Sequence, residues 1–380
     1  MISRGAQMRF IHTSDWQLGK PFGRTSDEAR AALHEARLDA IDSLASAARR
    51  EGASVILVAG DVFDNSEPGD RVFRQALTRM KAADDLRWML LPGNHDPARA
   101  DGLWSRLAVE APRNVVACLE PTAFELFDSV WLLPAPLQYK RALEDPTSWF
   151  DGAETPPGSL RVGLAHGPIT GFGSEAAPNL LPPDRAKRSG LSYLALGDWH
   201  GRIAVDPFTH YSGTPEPDDF GREVTGVALL VELRGDQVPT VRELPIGRYS
   251  WATANWTINT EQDLEPLLKD FAPEVERRNL VARIKVSGLT TLTDRVAVRD
   301  RLEGRFAHEV RWLDLNAEDL YARPTEHDLA DIDVNGVLRE AAERLRALAA
   351  SGGVEGRRAS AALERLYVEH RRAQRAGIAG

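Results

Sequence analysis

A short apolar strand that stops at a carboxylate constrains this chain most strongly. Residues 55–59 form an unbroken apolar run, followed at once by Gly60 and Asp61. A run of this length with β-branched residues is typical of a strand buried on both faces of a sheet. A carboxylate just beyond such a strand stands in the usual place for a ligand site in an α/β fold. Taken alone, an Asp in this position is more often a turn former or a helix cap.

The same arrangement recurs at four further predicted strands, and this recurrence favours a functional site. Each strand is followed by Asp, Asn or His, and these residues are Asp15, Asn94, His95, Asp96, His166, Asp198 and His200. Unrelated helix caps are not expected to supply so selective a set of nitrogen and oxygen donors. We therefore predict that these side chains meet at one edge of a sheet.

The composition indicates an ordinary globular protein. The 380 residues are enough for two domains and an appendage, and 43% hydrophobic and 27% charged residues are usual values. Cys118 is the single cysteine, which excludes an intrachain disulfide or a cysteine-based zinc site. A net charge of −9 argues against a general nucleic-acid coat but leaves a phosphodiesterase open, because metal ions and local basic patches can meet phosphates. Without an apolar run of transmembrane length or a signal-peptide core, we expect a cytoplasmic protein that does not contact membranes.

Apolar periodicity divides the chain into three predicted segments. Residues 1–245 alternate strands with helices at 27–50 and 69–83, and short stretches at 115–117 and 130–133 suit antiparallel strands. Residues 246–320 form a small α/β module. Residues 321–380 hold two amphipathic helices, around 333–350 and 359–374, with thin apolar stripes and highly charged faces. Such a pair either packs on its own protein or docks on a partner helix.

The collected side chains suit a site for two metal ions. Two ions a few ångströms apart can hold a phosphodiester, generate hydroxide at neutral pH and stabilise the leaving oxygen. Asp61 suits the bridge between them, and the mixture of carboxylate, imidazole and amide donors favours Mn²⁺, Fe²⁺ or Zn²⁺ over calcium. His95 is suited to protonate the leaving oxygen or to stabilise its charge.

These motifs resemble a known family. Its blocks here are Asp15-x-Gln17, Gly60-Asp61-x-x-Asp64, Gly93-Asn94-His95-Asp96, His166-Gly167 and Gly197-Asp198-x-His200. Together they resemble the calcineurin-like metallophosphoesterases. More narrowly, Gly60-Asp-Val-Phe-Asp and Tyr211-x-Gly-Thr-Pro-Glu are similar to SbcD-type DNA-repair nucleases. The resemblance implies a four-layer αββα sandwich with metals at one edge, followed by a small α/β cap domain and C-terminal helices.

The resemblance also implies a role for each site residue. Metal one would be held by Asp15, Gln17, Asp61 and His200. Metal two would be held by Asp61, Asn94, His166 and Asp198. His95 would be the catalytic imidazole outside the ligand sphere, and Asp64 would orient it or line the site. The implied cofactors are two divalent ions.

Two positions depart from the family pattern. Gln17 stands where the family has His, and Asp198 stands for the first His of Gly-His-x-His. Each metal thus loses one imidazole. The remaining oxygen ligands shift the preference toward Mn²⁺, with Mg²⁺ as the alternative.

We therefore predict a metal-dependent DNA exonuclease or endonuclease of SbcD type, acting in DNA repair and recombination. Its implied partners are DNA and an SbcC-like coiled-coil ATPase, and a homodimer stays open. The ATPase would bind an apolar stripe on the C-terminal helices, made of Leu338, Leu345, Leu363 and Leu366. Two alternatives remain: a catalytically weak scaffold subunit of an ATPase complex, and a phosphodiesterase acting on nucleotides.

Overall fold

A computed structural model describes residues 7–171, 177–221, 226–235, 237–272, 276–322 and 336–375. The chain divides into two compact units, Met1–Ser250 and Trp251–Gly380. The finer division at residues 245 and 320 stays a prediction. Among the described helices, none is long and apolar enough to cross a lipid bilayer.

Two six-stranded sheets make up the first unit. The first sheet contains, in spatial order, β12 (Thr240–Pro245), β11 (Val227–Arg234), β1 (Gln7–Thr13), β2 (Val55–Val58), β3 (Arg87–Leu90) and β4 (Val115–Ala117). The second contains β5 (Phe124–Phe127), β6 (Val130–Ala135), β7 (Leu160–His166), β8 (Tyr193–Gly197), β10 (Thr209–Tyr211) and β9 (Ile203–Asp206). Strands β1 to β4 run parallel, as do β6, β7, β8 and β10, so each sheet gathers several carboxyl ends at one edge.

The packing of these sheets gives the four layers that the family resemblance implies. Helices α1 (Asp27–Glu51), α2 (Asp70–Ala82) and α3 (Leu103–Glu110) cover the outer face of the first sheet. The facing sides of the two sheets share one apolar core, to which Leu57 and Leu164 contribute. The short helix α4 (Arg185–Arg188) and a 3₁₀ turn at Ser148–Gly152 pack on the far side of the second sheet.

Strand β2 is buried on both faces, as its apolar run predicts. Val55 and Leu57 point into the core between the sheets, whereas Ile56 and Val58 pack against the helices. All four side chains are at most 2% exposed. A slip of one residue would exchange the two faces of the strand, so its register is fixed. The position of Gly60 and Asp61, which follow the strand, is fixed with it.

The predicted antiparallel pairing around residues 115–133 is wrong in part. Strand β4 lies parallel to β3, and β6 is antiparallel to β5 but parallel to β7. Helix α3 lies between β3 and β4 in the chain and supplies the crossover that parallel strands need. Local alternation of apolar residues indicates a strand but not the direction of its neighbour.

The second unit contains a three-stranded sheet with helices. Its elements are β13 (Ser250–Thr257), a 3₁₀ turn (Glu261–Asp263), α5 (Leu264–Phe271), a second 3₁₀ turn (Arg277–Asn279), β14 (Leu280–Thr290), α6 (Leu292–Arg301), a π turn (Leu302–Phe306), α7 (Ala307–Glu309) and β15 (Trp312–Ala322). The strands stand in the order β13, β14, β15, and β14 runs parallel to β15. The strand and helix order predicted for this region is therefore found.

The two C-terminal helices, α8 (Val337–Ala350) and α9 (Gly353–Arg375), pack within the second unit. Leu363 and Tyr367 of α9 are buried in one cluster with Ala342 of α8 and Leu292 of α6. The Tyr367 hydroxyl also lies 2.9 Å from the hydroxyl of Thr293. Part of the stripe predicted to bind a partner is thus used inside the chain.

Candidate metal centre

The predicted ligands follow strands of both sheets and come together at one edge. The side chains are Asp15 and Gln17 after β1, Asp61 after β2, Asn94 after β3, His166 at the end of β7, and Asp198 and His200 after β8. Ligand atoms of Asp15, Asp61 and His166 all lie within 4.8 Å of one another. Asn94 Nδ2 donates to Asp198 Oδ1 at 3.0 Å, and His200 Nε2 lies 4.0 Å from Asp15 Oδ1. The structure thus places all these side chains in one cluster, while their role as ligands stays a prediction.

The loops after β1 and β2 have unusual backbone geometry. Asp15, Gln17 and Asp61 adopt left-handed φ angles of 53°, 48° and 52°. The loops are joined by hydrogen bonds from Asp15 N to Gly60 O, at 3.1 Å, and from Gln17 N to Asp61 O, at 3.0 Å. Non-glycine residues in this conformation are energetically costly and are concentrated at functional sites.

Gly93 is required by the close approach of a neighbouring carboxylate. A Cβ atom at this position would collide with Oδ1 and the backbone nitrogen of Asp61. The absence of a side chain therefore lets the loop after β3 close over Asp61. The next loop residues bind the same group, because the backbone nitrogen of His95 donates to Asp61 Oδ1 at 2.9 Å.

Three buried lone pairs in the cluster lack a hydrogen-bond donor. Gln17 Oε1, Asn94 Oδ1 and His166 Nε2 are buried and have no hydrogen-bond partner in the described part of the chain. His166 Nδ1 donates to Ala59 O at 2.8 Å, which leaves the Nε2 lone pair facing Asp61 Oδ1, 3.5 Å away. Buried polar atoms are normally satisfied, so three such atoms without a partner in one cluster indicate a site for an added ligand or ion. The donor set therefore fits divalent metal ions.

The pKa shifts in the cluster also indicate that positive charge is favoured there. Burial raises the pKa of Asp15 and that of Asp198 above the ordinary carboxyl value. Burial lowers the pKa of His166, but the surrounding carboxylates, led by Asp61, outweigh that effect and raise it to about 9. In the absence of metal, His166 therefore binds a proton at neutral pH, and a cation that binds Nε2 takes the place of that proton.

His200 is oriented by a buried ionic network that the sequence reasoning missed. Its Nδ1 donates to Asp218 Oδ1 at 3.0 Å, which leaves Nε2 free on the side of Asp15. Asp218 Oδ2 contacts Arg37, at 3.0 Å, and Lys20, at 2.7 Å. Burial alone would raise the pKa of Asp218, but the charges of Arg37 and its other partners hold it well below the ordinary value. A carboxylate behind a histidine is the usual way to fix the tautomer of a metal ligand.

A signal for this network was present in the sequence. Arg37 falls on the apolar stripe of α1, four residues after Leu33 and four before Ile41, and it is only 2% exposed. A charge on such a stripe is buried only with a partner. That partner, Asp218, lies two residues beyond the quoted Tyr211-x-Gly-Thr-Pro-Glu motif.

Gln17 contacts the predicted bridge through its nitrogen. Its Nε2 donates to Asp61 Oδ2 at 2.7 Å, and the side chain is only 1% exposed. The amide oxygen is the atom able to bind a metal, and it is buried without a hydrogen-bond partner among the described residues. Gln17 is therefore in the cluster, but it acts on Asp61 in a way that an imidazole ligand would not.

The loop after β3 presents His95 and is held by Asp96. The His95 side chain is exposed, and its Nδ1 donates to the backbone carbonyl of Asp64 at 3.0 Å. The carbonyl of Asp64, and not its carboxylate, therefore orients the ring. Asp96 is fully buried and accepts hydrogen bonds from Gly93 N at 2.7 Å and Phe63 N at 2.9 Å. Sequence reasoning counted Asp96 among the donors at this edge but did not predict that it holds the loop.

Comparison with known proteins identifies the family. The sequence model described as calcineurin-like phosphoesterase matches residues 8–205, and the chain belongs to that family. The SbcD component of the nuclease SbcCD from Bacillus subtilis is 33% identical over 92 residues, which cover 23% of this chain and 22% of that protein. The uncharacterized metallophosphoesterase YhaO of Bacillus subtilis is 27% identical over 228 residues, which cover 55% of this chain and 53% of that protein.

The likeness to these relatives is partial. The matched segments span 22% of the SbcD component and 53% of YhaO from Bacillus subtilis. Among solved structures, TT1561 of Thermus thermophilus superposes with a TM-score of 0.39 and 11% identity, covering 63% of this chain and 100% of that one. The relatives support the SbcD-type resemblance over the part of the chain that they match.

Proposed function

We propose that this protein is a metal-dependent nuclease that hydrolyses DNA phosphodiester bonds with two divalent ions. The observation that carries the proposal is the buried cluster in which Asp15, Asp61 and His166 place ligand atoms within 4.8 Å of one another, while Gln17 Oε1, Asn94 Oδ1 and His166 Nε2 lack hydrogen-bond partners among the described residues. Membership of a phosphoesterase family and partial likeness to nuclease subunits support it. Carboxylate and amide oxygens outnumber imidazoles in the cluster, which favours Mn²⁺ or Mg²⁺.

The two ions would share one carboxylate. Asp15, Gln17, Asp61 and His200 would hold one ion, and Asp61, Asn94, His166 and Asp198 the other. When bound, such a pair activates a water for attack on phosphorus and stabilises charge on the phosphate oxygens. Asp218 accepts the Nδ1 proton of His200, and the carbonyl of Ala59 accepts the Nδ1 proton of His166. The Nε2 atom of each histidine therefore remains available as a ligand.

His95 is placed to exchange a proton with the substrate. Its Nδ1 remains hydrogen bonded to the Asp64 carbonyl, so Nε2 is the atom that faces solvent and substrate. Protonated at both nitrogens, the ring donates Nε2–H to the leaving oxygen and stabilises the charge that develops there. Asp96 contributes indirectly, because it fixes the backbone of the loop that presents His95.

We further propose that the protein acts in DNA repair with an SbcC-like coiled-coil ATPase. The name of the Bacillus subtilis relative describes it as one subunit of a nuclease, which supports a multi-subunit assembly. Leu338, Leu348 and Val354 of the C-terminal helices are 43%, 50% and 57% exposed, so apolar side chains remain for a partner after Leu363 is buried. Exposed apolar side chains on an amphipathic helix suit docking in a groove.

A catalytically weak scaffold subunit is the second candidate. The observation that favours it is the hydrogen bond from Gln17 Nε2 to Asp61 Oδ2, which draws on a lone pair of the predicted bridge. A site that binds one ion tightly and the other poorly would hydrolyse phosphodiesters slowly. Such a protein would still bind DNA or the ATPase.

The test is hydrolysis by the purified full-length protein of single-stranded DNA, double-stranded DNA and a cyclic nucleotide. Each substrate is incubated with Mn²⁺, Mg²⁺ or EDTA, and Asp61→Asn serves as the inactive control. We expect metal-dependent cleavage of DNA that Asp61→Asn abolishes. Cleavage of the nucleotide alone would replace the proposal by a nucleotide phosphodiesterase. Absence of hydrolysis with retained binding of DNA or ATPase would favour the scaffold.

A further inference from the structure

The loop after β6 leaves the same sheet edge as the metal cluster. Ala135, the last residue of β6, is paired in parallel with Ala165, which immediately precedes His166. Parallel neighbours release their following loops at one edge. The loops after β1, β2, β3 and β8 carry predicted ligands, whereas this one carries Tyr139, Lys140 and Arg141.

The beginning of this loop is tied to the segment that carries His95. Leu137 O accepts a hydrogen bond at 2.8 Å from the backbone nitrogen of Ala98, three residues after His95. Leu137 is 1% exposed, so the backbone is fixed immediately before the exposed residues begin. Residues 138–141 therefore start next to the backbone segment that follows His95.

The middle of the loop is tied to the segment that carries His166. Asn179 is 1% exposed, its Oδ1 accepts from Ala142 N at 2.7 Å, and its Nδ2 donates to Lys140 O at 3.1 Å. The carbonyl of Asn179 also approaches Gly167 so closely that a Cβ atom there would collide with it. One buried residue therefore holds the loop through its side chain and lies against Gly167 through its backbone carbonyl.

A third anchor fixes the far end of the loop. The buried guanidinium of Arg185 contacts Asp145, and Asp145 Oδ1 accepts from Thr147 N at 2.9 Å. With its ends and middle fixed, the loop is ordered before any ligand binds. Binding then costs little backbone entropy, which is the general advantage of a preorganised surface.

Four side chains on this loop project into solvent. Tyr139 is 70% exposed, Leu143 is fully exposed, and Lys140 and Arg141 are also exposed. Tyr139, Lys140 and Arg141 make no side-chain hydrogen bond or ion pair within the described ranges of the chain. An aromatic side chain followed by two cations thus stands on a loop that leaves the same sheet edge as the candidate metal cluster, in a protein whose net charge is −9.

We propose that residues 138–143 bind single-stranded DNA next to the metal centre, an inference that rests on the proposed nuclease function. Tyr139 stacks on one unpaired base, and Lys140 and Arg141 bind the adjoining phosphates. An exposed aromatic ring recognises any base by stacking, and cations beside it follow the backbone without reading sequence. Stacking needs a base that is free of its partner strand, so the loop distinguishes a single strand from a duplex.

The test is fluorescence anisotropy with a labelled single-stranded 20-mer in Mn²⁺, with all variants made in a His95→Ala background that slows cleavage. Tyr139→Ala should raise Kd about fivefold to a hundredfold, the range for one lost stacked base. The double variant Lys140→Ala with Arg141→Ala should lower the slope of log Kd against log salt by about 1.4. Each phosphate contact to a single strand contributes about 0.7 to this slope, and the variant removes two contacts. Matched controls are Phe127→Ala, a half-exposed aromatic on β5, and the distant pair Lys81→Ala with Arg113→Ala.

The outcomes separate this inference from the proposed function. A Kd and salt slope that stay at the control values, or a protein that does not bind the single strand, would overturn the inference. An equal loss of affinity for duplex would overturn the stacking role. Hydrolysis of bis(p-nitrophenyl) phosphate, measured with His95 intact, should not change, because this diester is too small to reach the loop. A parallel loss there would assign the loop a structural role instead. Loop-dependent binding by a protein that cleaves no DNA would sink the nuclease proposal alone.

Discussion

Gln17 Nε2 donates a hydrogen bond to Asp61 Oδ2 at 2.7 Å, in the buried interior of the candidate metal centre. The other oxygen of Asp61 accepts from the backbone nitrogen of His95 at 2.9 Å. Both oxygens of the proposed bridge are therefore engaged by protein donors. A donor on Oδ2 competes with an ion for the same lone pairs, so Gln17 should weaken metal binding at the site that it shares with Asp61.

Gln17→His should strengthen the weaker of two Mn²⁺ binding steps by about tenfold or more, because an imidazole nitrogen replaces an amide at that position. Isothermal titration gives both steps, and the electron paramagnetic resonance spectrum distinguishes single from coupled Mn²⁺ ions. Gln262→His, which adds an imidazole at an exposed position of the second unit, is the matched control. Identical titrations for wild type and Gln17→His would show that residue 17 does not reach the ion.

His95→Ala should keep its metal content and lose about 10²-fold in turnover on DNA, the usual scale for a lost acid–base group. The ring hydrogen-bonds to the Asp64 carbonyl, and the backbone bond from residue 95 to Asp61 survives the substitution. Asp61→Ala should lose both ions and all hydrolysis. Metal content is measured by mass spectrometry and turnover by kcat for both variants. A His95→Ala protein without bound metal would contradict the role of His95 as a catalytic group outside the ligand sphere.

Two buried histidines should make the first unit sensitive to acid. Burial lowers the pKa of His12 to about 3 and that of His210 to about 4, below the ordinary value of about 6.5. At pH values between the lowered pKa of each histidine and about 6.5, the unfolded chain therefore binds more protons than the folded one. Stability falls as the pH is lowered from about 6.5 toward 4, by up to about 1.4 kcal/mol per pH unit for each histidine.

Urea unfolding at several pH values measures this dependence. His12→Gln should reduce the slope of the unfolding free energy against pH near pH 5 by about 1.4 kcal/mol per unit, whatever its effect on absolute stability. The exposed His308→Gln is the control for the same substitution outside the core. A His12→Gln slope equal to that of wild type would show that His12 does not account for the acid sensitivity.

Leu363→Ala should destabilise the second unit by about 2–5 kcal/mol, because Leu363 is 1% exposed and packs on Leu292 and Tyr367. Leu348→Ala, at a position 50% exposed in the same helical pair, should change stability by less than about 0.5 kcal/mol. Truncation after residue 324 removes the whole pair and should lower the melting temperature. A truncated protein that melts as wild type would show that the tail is an independent docking segment.

The sequence by itself determined the class of fold and the side chains predicted to bind metal. The apolar run of β2 can satisfy both of its faces only in the middle of a layered α/β sheet, so the position of Asp61 followed from local pattern. The remaining donors, from Asp15 to His200, could be found because each directly follows a predicted strand. Strand ends are local features, and parallel packing brings them to one edge.

Tertiary structure decided how these residues act on one another. The direction of β4, the burial of Leu363 and the pairing of Arg37 with Asp218 depend on segments far apart in the chain. Local periodicity carries no information about which distant group a side chain meets. The same holds at atomic scale: the sequence placed Gln17 in the site, but only the packed loops directed its nitrogen, rather than its oxygen, to Asp61. Hydrogen-bond direction follows from the final positions of all neighbouring donors and acceptors, and these exist only once the chain has folded.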